Sequence, residues 1–385
     1  TYSCDAKIFY PNNLKEISLF FNFINNNEKK YIVRTGECSY DSKSIPVNND
    51  TLVLSLQNFN KFLKLNKKRK IVCVQSGMRL LDLVNILKVK GYKLSSIPGG
   101  EKISVGGAIA ANVIGKDSNA KFSSFGDNVN KLSILRNGNN IKKISRSNKE
   151  FLNYIGSFGM GGLILEVELK IQKIKSPNVE LETKITDTLK DLKKELDKES
   201  EYKYAQLDPF FSKKNKAIIF YANASNDKTN KYLNKNFNIN FFDKLLFFIS
   251  SYLLNSITWM YFYKLFFYFN KKDKKIIDLH NFHYSSKYKH LVPKISNKGI
   301  IDIEILINKN FLKNLSNILS FLKKEKIYCI YIVIKKISKS KYKYFYSFND
   351  NGYSVAMSFA KNKNSKIIDF FKIFLKKNKL KINLS

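Results

Sequence analysis

The sequence predicts an α+β protein in two parts, and three observations carry that expectation. Short strands and amphipathic helices are mixed as far as Gln172. Beyond it the chain reads strand–helix–strand, then hairpin–helix, the pattern of a sheet with helices on one face. A length of 385 residues with 44% hydrophobic residues suits one large domain or two ordinary ones, with real cores. The boundary is expected near 172, giving parts 1–172 and 173–385.

Lys7–Tyr10 is strand-like, and residues 14–24 read as a helix with Leu14, Ile17, Phe20, Phe21, Phe23 and Ile24 as its apolar positions. Tyr31–Val33, Thr51–Ser55 and Ile71–Gln75 read as strands. Leu80, Leu83, Val84 and Leu87 follow helical spacing, and Gly91 ends that helix. Lys131–Leu135 and Ile141–Ile144 flank Asn137-Gly138, a hairpin signal. Ile164–Ile171 alternates as a strand. In the second part Thr186 is positioned to cap a helix carrying Leu189, Leu192 and Leu196. Ala217–Tyr221, Ile300–Ile307 and Ile327–Ile334 read as strands, and Phe311–Leu322 and Ile367–Leu375 as helices. Tyr344–Phe348 and Tyr353–Phe359 read as strands about a turn at Asn349–Gly352.

Of 16 glycines, five fall between Gly99 and Gly115. The stretch reads Pro98-Gly99-Gly100, then Ser104-Val105-Gly106-Gly107-Ala108-Ile109-Ala110-Ala111-Asn112, then Gly115-Lys116 and Ser123-Ser124-Phe125-Gly126-Asp127. Glycine is needed where another group must touch the backbone. Small residues after the Gly106-Gly107 pair indicate a packed turn and short helix, whose first N–H groups would be bare and suited to a diphosphate. The spacing is neither GxGxxG nor GxxxxGK[ST], which disfavours a Rossmann site and a P-loop.

At these residues the chain resembles the FAD-binding oxidoreductases of the vanillyl-alcohol-oxidase (PCMH) type, and within them the decaprenylphosphoryl-ribose 2-oxidase branch. The resemblance rests on Arg34-Thr35-Gly36-Glu37-Cys38-Ser39-Tyr40, Ser76-Gly77 before a helix, Pro98–Gly126 and Gly159-Met160-Gly161-Gly162-Leu163-Ile164. It spans the first part and continues more weakly through Gly299–Ile307 and Gly352–Phe359. It implies a two-subdomain FAD-binding domain followed by a substrate domain with an antiparallel sheet. Carried over, it implies that Arg34 to Tyr40, Gly99, and Ser104 to Gly107 hold FAD. It lays Ala111, Asn112 and Ile114 along the flavin and Ile164 on the adenine side. Tyr40 and Glu304 are the catalytic candidates. A plain turn explains any one glycine alone; a buried core tyrosine explains Tyr40, and a solvent face explains Asp302 and Glu304.

The departures bear on activity. Ile114 stands where the branch has a His, and Asp117, Ser118 and Asn119 where it has a His pair. Ser354, Ala356 and Ser358 replace an Asn, Cys and Asp set, and Glu304 replaces a Gln facing the sugar. A catalytic Lys is expected after Ile382-Asn383-Leu384-Ser385, so the chain reads as a fragment lacking a short piece at each end. The resemblance implies oxidation of a secondary hydroxyl on a polyprenyl-phosphate-linked sugar, the 2-oxidation step of an epimerisation in cell-envelope polysaccharide synthesis. A short-chain-type keto-reductase would be the partner. The alternatives are a sugar or sugar-lactone oxidase and a catalytically idle scaffold with this fold. No His or Cys sits at a defensible attachment point, so FAD is expected to be non-covalent.

The formal charge is +37, yet only five of 68 basic residues are Arg and none lies beyond Arg146. Phosphate and base readers favour the Arg fork, so nucleic acid is not expected. The lysines serve either as solvated faces or as attraction for acidic headgroups and a phosphorylated substrate. Cys4, Cys38, Cys73 and Cys329 form no C-x-x-C pair, and with His280, His283 and His290 they give no metal spacing. His283 is expected in a solvated loop. Residues 245–263 carry no charge between Lys244 and Lys264, but five polar residues dilute them. A headgroup-layer element or ordinary domain core is expected rather than a span. With no signal peptide, the expected location is cytoplasmic or peripheral at the inner face of the cytoplasmic membrane.

Overall fold

A computed structural model of the chain describes residues 5–39, 45–46, 48–100, 102–117, 124–136, 140–210, 215–227, 229, 256–269, 274–284, 300–345, 347–360, 365–378 and 381–384. The chain divides into two compact units. Unit 1 comprises Thr1–Asp117, Lys121–Lys175 and Ser340–Asn349; unit 2 comprises Ser118–Ala120, Ser176–Lys339 and Asp350–Ser385.

Unit 1 opens with a small parallel sheet in which β3 (Leu52–Ser55) lies between β1 (Ile8–Phe9) and β2 (Tyr31–Arg34). Helix α1 (Leu14–Asn26) packs on it. Asn13 caps the helix by accepting from Glu16 N–H, and Glu16 answers by accepting from Asn12 N–H at 2.8 Å. Ile17, Phe20, Phe21 and Ile24 form one buried stripe, at the spacing that turns a single helical face inward. Leu14 and Phe23, also read as apolar positions, remain exposed.

The second sheet of unit 1 is antiparallel, in the order β4 (Phe62–Asn66), β5 (Ile71–Gln75), β9 (Leu163–Lys173), β7 (Val129–Arg136), β8 (Asn140–Ser145), with β6 (Tyr92–Leu94) added to β9. The turn expected at Asn137-Gly138 lies outside the described residues, but its flanks pair in hairpin register, Leu135 opposite Ile141. Helix α2 (Leu80–Val89) buries Leu80, Leu83, Val84 and Leu87. Gly91, at φ 77°, ends it in the left-handed conformation that glycine adopts freely. Helix α3 (Val105–Ala110) follows, with Ser104 as its cap.

Unit 2 is built on an antiparallel sheet whose described strands run β13 (Lys274–Asp278), β10 (Asn178–Thr186), β12 (Ala217–Ala224), β11 (Tyr202–Leu207), β15 (Cys329–Ile337), β16 (Gly352–Ala360), β14 (Ile300–Ile307), β17 (Lys381–Leu384). Ile303, Ile305 and Ile307 share one face with Val355, Met357, Ile332 and Ile334. That face is covered by α4 (Leu189–Asp197), α7 (Phe311–Lys324) and α8 (Ser365–Asn378) through Leu192, Leu315, Leu319 and Phe371. Phe321 and Phe370 stack between the last two helices at 3.6 Å.

The remaining helices, α5 (Ser256–Phe269) and α6 (Leu279–His283), do not follow the expected one-sided arrangement. Phe282 and Phe266 meet Tyr204 and Phe220, which alternate with the core residues Ala205 and Ile219 and so belong to the other face. Helices therefore sit on both faces.

Two local expectations are corrected. The cap of α4 is Thr188, whose hydroxyl accepts from Asp191 N–H at 3.0 Å, while Thr186 is the last residue of β10. Tyr344–Phe348 is not a strand. Strand β16 pairs instead with β14 and β15, and Ser340–Asn349 is an irregular strap belonging to unit 1. Its aromatic residues imitate strand composition, but Tyr344 and Phe348 are buried by packing in that unit.

Of residues 245–263, only those from Ser256 onward are described. Trp259 and Tyr263 are buried on the inner side of α5, and Trp259 Nε1 donates to Ile330 O at 2.7 Å. Among the described residues no helix is long and apolar enough to cross a membrane.

Candidate cofactor and substrate sites

Two stretches singled out in the sequence meet in unit 1. The end of β2 and the loop after it carry Arg34 to Ser39, and the turn entering α3 carries Ser104 to Gly107. Ser104 Oγ donates to Thr35 Oγ1 at 2.5 Å. Gly36 lies so close to this turn that a Cβ on it would stand 2.7 Å from Ser104 N and 3.2 Å from Lys102 O. Arg79 ties the two stretches together, donating through Nη1 to Gly36 O and, at 2.6 Å, to Lys102 O. Gly106 touches the Ser76 turn, where its Cβ would meet Ser76 Cβ at 2.9 Å. Glycine at both places is therefore a requirement of close backbone approach.

The N–H groups at the start of α3 are not bare, contrary to the sequence expectation. Val105 N–H donates to Met78 O at 2.8 Å and Gly106 N–H to Ser76 O at 2.7 Å. Gly107 N–H is capped by Ser104 Oγ at 3.1 Å. They hold the turn together. Across the contact, Gly36, Glu37 and Cys38 show no backbone acceptor for their N–H groups among the described residues. Glu37 takes φ 54°, the left-handed excursion that turns successive N–H groups toward a common point. Arg34 Nε is buried there without a partner, although Arg34 Nη2 reaches Glu37 at 3.6 Å. Burial raises the Cys38 thiol pKa, while nearby Arg79 and Lys102 pull it down. Three cations, against the one carboxylate of Glu37, bias this loop toward an anion.

The other cofactor candidates are placed as follows. Tyr40 lies outside the described residues. Gly99 is half-buried beside Pro98. Ala111 closes α3, donating to Gly107 O. Ile114 is half-buried, and Ile164 is buried in β9 opposite Ile134. Asn112, at φ 45°, is buried with both ends of its amide engaged. Its Oδ1 accepts from Gly126 N–H at 2.8 Å and its Nδ2 donates to Ser347 Oγ at 2.6 Å.

That last bond belongs to a clasp the sequence did not reveal. Asp127 Oδ1 accepts from Ser340 Oγ at 2.7 Å and from Tyr344 Oη at 2.8 Å. Arg146 donates to the carbonyls of Gly126, Asp127 and Val129, and its guanidinium lies 4.5 Å from the centre of the Tyr342 ring. The strap is thereby fastened to the turn that follows the flavin-side candidates.

Asp117, also missed as a site residue, is buried and accepts from Ile97 N–H at 2.9 Å. Desolvation raises its pKa from 3.8 to about 7, against hydrogen bonds from its own backbone, Ile97 and Ser96 that lower it. A raised folded-state value means that the fold binds this proton more tightly than the unfolded chain does. The stabilisation is complete below about pH 4 and is lost as pH rises through about 7. Asp117→Asn keeps an acceptor for Ile97 and does not titrate. Its melting temperature should lack the parent's decline across that window; parallel profiles would clear Asp117 of the effect.

In unit 2, Asp302 and Glu304 project from β14 on the face opposite the α4–α7–α8 core. Both are half-buried. Ser358 Oγ donates to Asp302 and Ser354 Oγ to Glu304, from β16 alongside. Burial raises the Asp302 pKa, Ser358 lowers it, and the Glu304 charge adds to the rise. The polar face is thus organised and half-enclosed. His283, expected in a solvated loop, is instead buried against Tyr202 and Phe282. Among the described residues no group of His, Cys, Asp and Glu could hold a metal ion.

Residues 6–144 match the FAD binding domain family. The chain is 22% identical over 235 residues to an L-gulonolactone oxidase of Scyliorhinus torazame, covering 60% of this chain and 50% of that protein. It is 24% identical over 127 residues to a decaprenylphosphoryl-beta-D-ribose oxidase of Mycolicibacterium smegmatis, covering 32% and 27%. Among solved structures it is similar to Physcomitrella patens BBE-like 1, with a TM-score of 0.65 at 13% identity, covering 97% of this chain and 80% of that one. The chain spans about half the length, or less, of these curated relatives. The fold is the FAD-binding PCMH type, and the cofactor is FAD. The residues fit it: backbone donors without backbone acceptors, a buried Arg34 Nε without a partner, and a glycine whose Cβ would close the cradle.

Proposed function

We propose that the chain is an FAD-dependent oxidoreductase that oxidises a secondary hydroxyl of a polyprenyl-phosphate-linked sugar, the first half of an epimerisation in cell-envelope polysaccharide synthesis. The observation that carries the redox reading is the Gly36–Ser104 cradle, inside the segment that matches the FAD binding domain. When bound, the flavin supplies the hydride acceptor. The N–H groups of Gly36 to Cys38, with Arg34, would hold its diphosphate without a covalent bond. The substrate hydroxyl must also lose a proton, and a base must lie within hydrogen-bond reach of it. Glu304, positioned by Ser354, takes that role, with Tyr40 as the second candidate. A keto-reductase of the short-chain type would consume the product. The reaction would take place in the cytoplasm or at the inner face of the cytoplasmic membrane.

The similarity to a decaprenylphosphoryl-beta-D-ribose oxidase and the formal charge of +37 favour a phosphate-bearing substrate. A second reading, a sugar-lactone oxidase, is favoured by the longer match to L-gulonolactone oxidase. Anaerobic mixing of the FAD-loaded protein with a polyprenyl-phosphoryl pentose or a free aldonolactone distinguishes them. Loss of oxidised-flavin absorbance with the first alone supports the proposal. Loss with the lactone alone supports the second reading, and loss with neither leaves a non-catalytic scaffold. Glu304→Ala is expected to slow flavin reduction by about 100-fold or more and leave FAD retention unchanged. Equal rates would remove Glu304 from the site.

A further inference from the structure

Helix α5 has one side in the fold and one side in solvent. Trp259 and Tyr263 are buried, with Ile330 and Phe210 among their neighbours. Tyr261, Leu265 and Tyr268 are 57%, 55% and 72% exposed. Steps of four and three residues place these three on one stripe of the helix. Isolated exposed apolar residues are ordinary, but a continuous aromatic and aliphatic stripe marks an interaction surface. Lys264 is exposed beside it, with Nζ 4.9 Å from the centre of the Tyr261 ring.

We propose that this stripe docks the protein on the headgroup layer of an anionic lipid bilayer. Tyrosine suits that layer, having an apolar ring and a polar tip. Lysine beside such a stripe adds attraction to anionic lipid. The charge of α5 is complementary to that surface: the helix carries Lys264 and no acidic residue, in a chain of formal charge +37. A second copy of the chain fits less well, since it would bring one Lys264 toward another. The inner side of α5 is committed to the fold through the Trp259–Ile330 hydrogen bond, so the helix lies along the surface. The proposal does not depend on which substrate the enzyme oxidises.

The test is co-sedimentation of the full FAD-loaded chain with vesicles of phosphatidylcholine alone, or of phosphatidylcholine mixed with phosphatidylglycerol. Binding is expected to the mixed vesicles and to weaken with salt. The combined Tyr261→Ser, Leu265→Ser and Tyr268→Ser variant should bind about tenfold less tightly. Trp259 is the single tryptophan of the chain, and an unchanged emission maximum shows that α5 remains packed. If that maximum shifts, the single variant Leu265→Gln replaces the triple one, with a loss of about threefold expected. Any of three results would overturn the proposal: no binding to mixed vesicles, equal binding to the two vesicle types, or wild-type binding by the packed variant. Lipid-free dimerisation that the variant abolishes would assign the stripe to self-association and also overturn it.

Discussion

Gly36→Ala is expected to yield a folded protein that no longer retains FAD through purification. The new Cβ would stand 2.7 Å from Ser104 N and 3.2 Å from Lys102 O, both backbone atoms that cannot swing aside. The Arg34–Ser39 loop and the α3 turn must therefore separate, and the Thr35–Ser104 hydrogen bond lengthens with them. Overpacking of this kind costs about 1–3 kcal/mol. Taken entirely from the closed cradle, that is about 5- to 150-fold in FAD affinity. Gly107→Ala is the control. Its Cβ would meet only the Ser104 and Thr35 hydroxyls, at 3.1 and 3.5 Å, and side chains can yield. The flavin-to-protein absorbance ratio after gel filtration, followed by FAD titration, measures both. Equal FAD affinity in Gly36→Ala and the parent would show that the diphosphate is not held here.

Arg146→Ala should be the most destabilising single change in unit 1 outside its apolar core. Arg146 donates to Gly126 O at 2.7 Å, to Asp127 O at 2.9 Å and to Val129 O. Its guanidinium also packs on Phe151 at 5.3 Å and Tyr342 at 4.5 Å. Hydrogen bonds from a charged donor contribute more than neutral ones, and the carbonyls it leaves are not easily resatisfied. A loss of about 3 kcal/mol is expected, lowering the melting temperature by roughly 6–12 °C. Arg146→Lys should recover little, because an ammonium lacks the planar fork that reaches several carbonyls at once. Differential scanning calorimetry decides. A loss below about 1 kcal/mol would mean that the strap holds without Arg146.

What could be read from the sequence was largely what repeats. Helix α1 is visible because Ile17, Phe20, Phe21 and Ile24 recur at helical spacing, and β14 because Ile303, Ile305 and Ile307 alternate with Asp302 and Glu304. Gly106 is legible because glycine is scarce and a clustered scarce residue signals close approach, whereas Gly36 is marked only by the family resemblance of Arg34 to Tyr40. Three of the misreadings share a cause, which is partners distant in sequence. No local pattern shows that Tyr344 serves Asp127, so an aromatic run passes for a strand. The helix start of α3 looks bare until Met78 and Ser76 supply acceptors for it. His283 looks solvated among lysines until Tyr202 and Phe282 enclose it. Arg79, Asp117 and Arg146 belong to the same class, since a lone charged residue carries no periodicity.

The strap also sets an order of events during biosynthesis. The hydroxyls of Ser340 and Tyr344 that Asp127 accepts from lie 213 and 217 residues downstream. At roughly 5–20 residues per second of synthesis, the amino-terminal portion waits on the ribosome for about 10–40 s before the strap's hydroxyls reach Asp127 Oδ1 and Asn112 Nδ2. Unit 1 is finished only after most of unit 2 has emerged. A nascent chain stalled anywhere before Asn349 exposes an incomplete flavoprotein to proteases and chaperones. Full resistance to limited digestion should therefore arise late, in a single step, as the strap clears the exit tunnel.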